Sequence, residues 1–295
     1  MRTIKINFLI ILFATALLSC EKDVTVKVPE AGEGIVIEGK IETDTIAVVF
    51  LSKTIPFFGE INTEEIVQNT ITGATVIVED GFDVDTLTQI PGIGVYLGSS
   101  IRGVPGRTYK LTIYSGSNVL SSVTTIPFPV HPDSVWWKVE GTRDSLGFAW
   151  MHFKDPDSIG NNYKWYAQRI NKYTYGEHAG RMKDSIFIAA PGGTFGDRFF
   201  NATEFDLNFP RGSLSYTEDE ENYNDEEYFF KRGDTIVIKF TSIDYQTHEF
   251  WRTEEQQVQN NGNPFGSPSP ITSNIIGGLG LWGGYAPAYD TIIAQ

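Results

Sequence analysis

Few groups in this 295-residue chain offer chemistry: one cysteine, four histidines and 37 carboxylates. Cys20 is the most specific of them. It follows Leu17-Leu18-Ser19 at the end of an apolar run, Phe8 to Leu18, that sits behind Arg2 and Lys5. Positive charge, a short apolar run and a small residue make a secretory signal. The run is eleven residues long, short of the ~20 that a membrane-spanning helix needs. A cysteine at this point is what bacterial lipoproteins acylate on the thiol, cutting the chain just before it. The reading is a signal over 1–20 with lipid on Cys20; an ordinary secretory signal with a chance cysteine is the alternative. An acylated Cys20 leaves no thiol for a disulfide, a nucleophile or a thiolate metal site.

The histidines, His131, His152, His178 and His248, are far apart and show neither H-x-x-x-H nor H-E-x-x-H spacing, so no metal site is expected. Glu218 to Glu227 holds seven acids in ten positions. Clustered oxygens suit calcium, but the EF-hand order is missing, and a solvated loop is the simpler reading. Gly278, Gly280 and Gly283 fit G-x-G-x-x-G, yet too little chain follows before Gln295 for a helix and a further strand. No G-x-S-x-G elbow or Walker loop occurs. Glu204 and Asp206, with the tryptophans, could supply a carboxylate pair in an aromatic cleft, and a glycosidase needs only two carboxylates; that alternative stays open. No catalytic residue and no cofactor are assigned.

The aromatic pairs are the better candidates for contact with a ligand: Phe57-Phe58, Trp136-Trp137 and Phe199-Phe200. Neighbours on a strand point to opposite faces, so one of Trp136 and Trp137 is expected in the core and the other outside. An exposed tryptophan suits a sugar ring or a protein partner; packing between domains is the competing reading.

The elements that would hold these groups read as β. Ile35 to Ile41, Ile46 to Leu51, Thr75 to Asp80, Val84 to Ile90, Arg107 to Tyr114 and Asn118 to Ile126 are short β-branched runs punctuated by turn residues. Ser115-Gly116-Ser117 marks a hairpin. Pro127, Pro129 and Pro132 make a stiff connector. Beyond it come Ser134 to Glu140, Ser145 to Phe153, Asn162 to Tyr173, Asp184 to Ala190 and Thr235 to Phe240, with Asp155-Pro156-Asp157 as a turn. Ser242 to Gln259 has helical spacing, with Ser242 as its cap, and Gly280 to Tyr285 is a last strand. The fold class expected is mainly β: two β-sandwich domains of immunoglobulin or fibronectin type, the second with one helix. The expected divisions are a tether at 21–33, a first sandwich at 34–128, and a second domain at 131–295 that contains an irregular acidic insertion over 191–232 and a helix over 242–259.

With Arg2 and Lys5 removed by signal cleavage, 21 basic residues face 37 acidic ones, a net charge of −16. Such a surface repels phosphate backbones, so nucleic acid is excluded as a partner.

Ile35-Val36-Ile37-Glu38-Gly39, Leu51 to Gly59, Gly73-Ala74-Thr75-Val76, Thr124-Thr125-Ile126-Pro127, Phe250-Trp251-Arg252, Asn263-Pro264-Phe265 and Ser273-Asn274-Ile275 through Gly280 together resemble one family. It is the group of Bacteroidota lipoproteins catalogued as domain of unknown function 4249, and the likeness runs over nearly the whole chain. Trp282 stands where phenylalanine is expected, and Asn201-Ala202 where Asn-Gly is expected. The resemblance implies a lipid-anchored outer-membrane protein, with the charged Glu21-Lys22-Asp23 resembling a signal for display on the cell surface. It also implies a neighbouring TonB-dependent transporter as partner, and it supplies no catalytic residues. A non-enzymatic accessory or binding lipoprotein is therefore the expectation, with a stand-alone glycan- or peptide-binding protein, or a carboxylate-based hydrolase, as alternatives.

Overall fold

Alternation of β-branched and polar residues builds most of the molecule. The computed structural model describes residues 34–54, 68–171, 184–212, 228–260 and 270–295. The strands are β1 (Ile35–Glu42), β2 (Ile46–Lys53), β3 (Thr75–Glu79), β4 (Val84–Thr86), β5 (Thr88–Gln89), β6 (Val95–Arg102), β7 (Thr108–Ser115) and β8 (Asn118–Thr125). They continue as β9 (Ser134–Val139), β10 (Leu146–Lys154), β11 (Asn162–Arg169), β12 (Ile188–Gly196), β13 (Glu204–Phe209), β14 (Phe230–Lys231), β15 (Thr235–Ile243) and β16 (Leu279–Ile293). Helix α1 spans Tyr245–Asn260. The β7–β8 hairpin turns at Gly116, whose φ of 59° only glycine adopts freely at this first turn position.

An eight-stranded sheet in the order β12-β11-β15-β16-β1-β2-β6-β5 is the backbone of the fold. A four-stranded sheet, β4-β3-β7-β8, packs against its β1–β2–β6 part, enclosing Ile37, Ile41, Val49, Leu51, Leu111 and Ile113. A second, β13-β10-β14 with β9 also paired to β10, packs against the β11–β15 part, enclosing Met151, Phe153, Tyr163, Trp165, Ile238 and Phe240. Cross-strand partners share a face of a sheet. Gly39 pairs with Trp282 and Phe240 with Ala288, so both cores lie on one face of the long sheet and the small sheets sit side by side upon it.

Helix α1 lies on the other face. Lys164 is buried there, with its ammonium 2.9 Å from Thr194 Oγ1, 3.2 Å from Glu255 Oε1 and 4.4 Å from the Trp251 ring centroid. The Trp251 indole donates to Tyr285 Oη at 2.9 Å. Among the described residues no helix is long and apolar enough to cross a membrane.

The protein is mainly β with a sandwich-like layering. Three expectations need correcting. The two cores are real, but the chain from Glu33 to Gln295 is one unit and the second region does not close on itself. β16 pairs with β1 in parallel, Val36 to Leu279 through Glu42 to Tyr285, so one sheet crosses the proline connector. The helix begins at Tyr245, because Ser242 is still within β15, where its hydroxyl accepts from the Val130 N–H. Asp244 does the capping instead, accepting from the Thr247 N–H at 2.7 Å. The stretch 191–232 is not irregular throughout, since the end of β12, all of β13 and β14 lie in it. The acidic run 218–227 falls outside the described residues, as do Cys20, Phe57, Phe58 and His178.

Candidate functional site

β10, Leu146-Gly-Phe-Ala-Trp-Met-His-Phe-Lys154, alternates between buried and more exposed positions from Gly147 onward. Ala149, Met151 and Phe153 enter the core, which sends Phe148, Trp150, His152 and Lys154 to the outer face of the small sheet. β9 and β13 flank β10 in continuous antiparallel register. The outer face is therefore a grid of cross-strand rows: Lys138 with Phe148; Trp136, Trp150 and Asn208; Ser134, His152 and Asp206; Lys154 with Glu204.

Two aromatic stacks occupy one end of this face. Trp136 and Trp150 lie nearly parallel, 19° apart with centroids 6.1 Å apart, and Phe148 and Phe229 stack at 5.0 Å. Cations cover their flanks: Lys138 lies 5.2 Å from the Trp150 centroid and Arg143 lies 4.5 Å from that of Phe229. Dispersion and quadrupole attraction hold the partly exposed rings against the ammonium and guanidinium groups.

The other end is polar. His152 Nδ1 lies 2.7 Å from Asp206 Oδ1 and Nε2 lies 2.9 Å from Glu204 Oε1. A carboxylate at each nitrogen favours the imidazolium form, in which both N–H groups donate. Asp206 first and Glu204 second hold His152 above its ordinary pKa. A raised value means the bracket is complete below the unfolded histidine range and is lost as pH climbs through the folded midpoint. An NMR titration of the imidazole should thus place His152 above ~6.5, with Asp206→Asn lowering the midpoint; a wild-type midpoint at or below that value would contradict the bracket.

Other buried carboxylates are structural. Asp85 accepts from the amides of Ser99, Ser100 and Ile101, and Asp155 accepts from Tyr163 Oη at 2.6 Å and from the Ala202 N–H. The Asp155-Pro156-Asp157 turn thus also anchors the core. Among the described residues no group of three or more histidine, cysteine or acidic side chains is arranged to hold a metal.

The tryptophan pair divides by strand alternation. Trp137 packs against the second core, and Trp136 is on the outer face. Phe199 is 90% exposed, whereas Phe200 lines an apolar recess beside β13. The carboxylates Glu204 and Asp206 share the outer face with Trp136 and Trp150, and their own cross-strand partners are Lys154 and His152. Trp150, Phe148 and His152 are functional candidates that adjacency in sequence does not reveal. Their signal was the period-2 spacing 148, 150, 152, 154.

Comparison with known proteins gives three results. A family profile described as "Domain of unknown function (DUF4249)" matches residues 21–290. No curated protein matches. Among solved structures, a two fibronectin type-III domain segment from chicken tenascin is 9% identical, over 88% of this chain and 99% of that one, with a TM-score of 0.22.

Proposed function

Because this chain belongs to the family described as domain of unknown function 4249, and membership brings no reaction with it, we propose a function from the surface it presents. The protein is a non-enzymatic, lipid-anchored binding component of the outer membrane. It hangs from Cys20, displayed on the cell surface, beside a TonB-dependent transporter, and it holds a glycan on the outer face of β9, β10 and β13. The observation that carries this reading is the row Trp136–Trp150–Asn208 directly beside the row Ser134–His152–Asp206. Ring faces take the apolar side of a sugar, while the neighbouring hydroxyl, amide and carboxylate groups exchange hydrogen bonds with its hydroxyls.

The same geometry argues against hydrolysis. A glycosidase acid needs an environment that raises its pKa and keeps water away. The Glu204 and Asp206 side chains are 55% and 53% exposed and both are engaged by His152.

On a glycan array, wild-type protein should bind a defined set of sugars, and Trp136→Ala and Trp150→Ala should each weaken that binding at least about tenfold, equivalent to ~1.4 kcal/mol. A blank array with folded protein would rule out the glycan reading. Purification from gently solubilised membranes separates the two settings. A stoichiometric barrel supports the accessory role, whereas a solitary lipoprotein that still binds glycan supports a stand-alone receptor.

A further inference from the structure

The mouth of the second sandwich lies between two edge strands that differ in a telling way. Among the described residues β12 pairs only with β11, and β13 only with β10. Between them opens a recess of about 430 Å³ lined chiefly by Phe195, Phe200, Phe205, Leu207 and Phe209, with no charged side chain in its lining. The rings of Phe200 and Phe205 meet edge to face at 4.9 Å, and Phe195 lies parallel to Phe209 at 6.1 Å. Phe195, Phe200, Phe205 and Leu207 are each only half-buried, so the core is open to solvent at this point.

Proteins normally blunt an exposed edge with proline, a bulge or a lysine. β12 is blunted in this way. Pro191 and Gly192, the latter at a φ of 69°, interrupt its register with β11 between Lys164 and Tyr166. β13 carries no proline, bulge or lysine within its span; its charges are Glu204 and Asp206 on the outer face, and Pro210 follows its end. Its six residues, Glu-Phe-Asp-Leu-Asn-Phe, keep unbroken register with β10 and alternate strictly, with Phe205, Leu207 and Phe209 inward and Glu204, Asp206 and Asn208 outward.

We propose that β13 is a strand-addition edge that takes an extended segment of a partner protein, in which apolar residues alternate with basic ones. A guest strand beside β13 continues the sheet and turns every second side chain into the phenylalanine recess. The intervening side chains fall directly across from Glu204 and Asp206, at the spacing where opposite charges attract and like charges repel. The net charge of −14 draws a basic guest to the same edge. This inference goes beyond the glycan reading and does not depend on it.

The test uses the full-length protein in detergent and a fluorescein-labelled heptapeptide that alternates lysine and valine, followed by fluorescence anisotropy. Saturable binding is expected. The isomer with its lysines and valines in separate blocks, which has the same charge and composition, should bind at least tenfold more weakly, as should the version with glutamate for lysine. Two further peptides carry N-methyl groups on alternate amides, each blocking one edge. One should lose binding and the other keep it, because only one edge of a guest faces β13. Phe200→Ala should weaken the parent peptide several-fold. Equal binding by the block isomer, full retention by both N-methylated peptides, or failure of the parent to saturate would overturn the proposal.

Discussion

Replacing Trp282 with alanine should lower the unfolding free energy by about 3–5 kcal/mol, the range for deleting a fully buried tryptophan. Its ring is buried on the core face of β16 and lies so close to Gly39 that a Cβ there would come within 2.8 Å of it. Its indole N–H donates to the Tyr109 carbonyl at 3.0 Å. Asn274 holds its backbone at both ends, accepting from the Trp282 N–H at 2.9 Å and donating to the Trp282 carbonyl at 2.8 Å. One side chain thus joins β1, β7 and β16. Against a total stability of ~5–15 kcal/mol for a native protein, the loss is a large fraction of the whole. Denaturant titration should show a lower midpoint with an unchanged slope. Trp282→Phe should cost less, ~1–3 kcal/mol, by leaving the Tyr109 carbonyl unpaired. A midpoint for the alanine variant within error of wild type would mean the first core does not depend on this ring.

The second large effect lies on the helix face. Lys239 Nζ sits 2.7 and 2.8 Å from the two oxygens of Glu42, across β16, with the two side chains 9% and 11% exposed. Removing Glu42 should cost about 3–5 kcal/mol, because the Lys239 ammonium then stays buried and unpaired, whereas removing Lys239 should cost less, since Glu42 keeps Lys40 at 3.2 Å. Replacing both with methionine should recover most of that loss, the signature of a penalty on the leftover charge. The sign of the acid response follows from Glu42. Burial, the largest influence, pushes its carboxyl up, but Lys239 and then Lys40 outweigh it and hold the value below the ordinary one. At Lys239 burial wins, and its ammonium is left below its ordinary value, so the carboxylate carries the acid response of the pair. A depressed carboxyl stabilises the fold above its unfolded pKa and loses that contribution as pH falls through the folded value. Midpoints of wild type and Glu42→Gln should accordingly converge as the solution is acidified below the ordinary carboxylate range. A gap that persists there would show that shape and not charge sets the cost.

Much of this was readable because a strand's code is short. β1, β2, β7 and β8 declare themselves by alternation, and the hairpin by its glycine. β6 does not, because Gly98-Ser99-Ser100 breaks its apolar run and only the distant Asp85 carboxylate satisfies those amides. β13 alternates cleanly, but it sits beside an acidic run that makes the whole stretch read as loop. The outer face was half legible. Alternation places Trp136 and Trp137 on opposite sides, and a spacing of two puts Glu204 and Asp206 together. Register decides the rest, and register is a tertiary property. Nothing local says that Trp136 stands across from Trp150, or that His152 meets Asp206, 54 positions away. The same holds for the two-domain expectation, since a proline-rich connector looks like a boundary whether or not a later strand reaches back across it. The two departures from the family pattern have local explanations. Ala202 takes a φ of 57°, a conformation that glycine adopts at no steric cost. Trp282 gains through its indole N–H a partner that phenylalanine lacks.

The parallel pairing of β1 with β16 sets the order of events when the protein is made. Val36 must wait for Leu279, 243 positions later, before the long sheet has its middle. Contacts so far apart in sequence slow folding and forbid the amino-terminal half from locking early on the ribosome. The first core therefore cannot be completed until β16 has been synthesised, and β1 lacks its parallel neighbour for that interval.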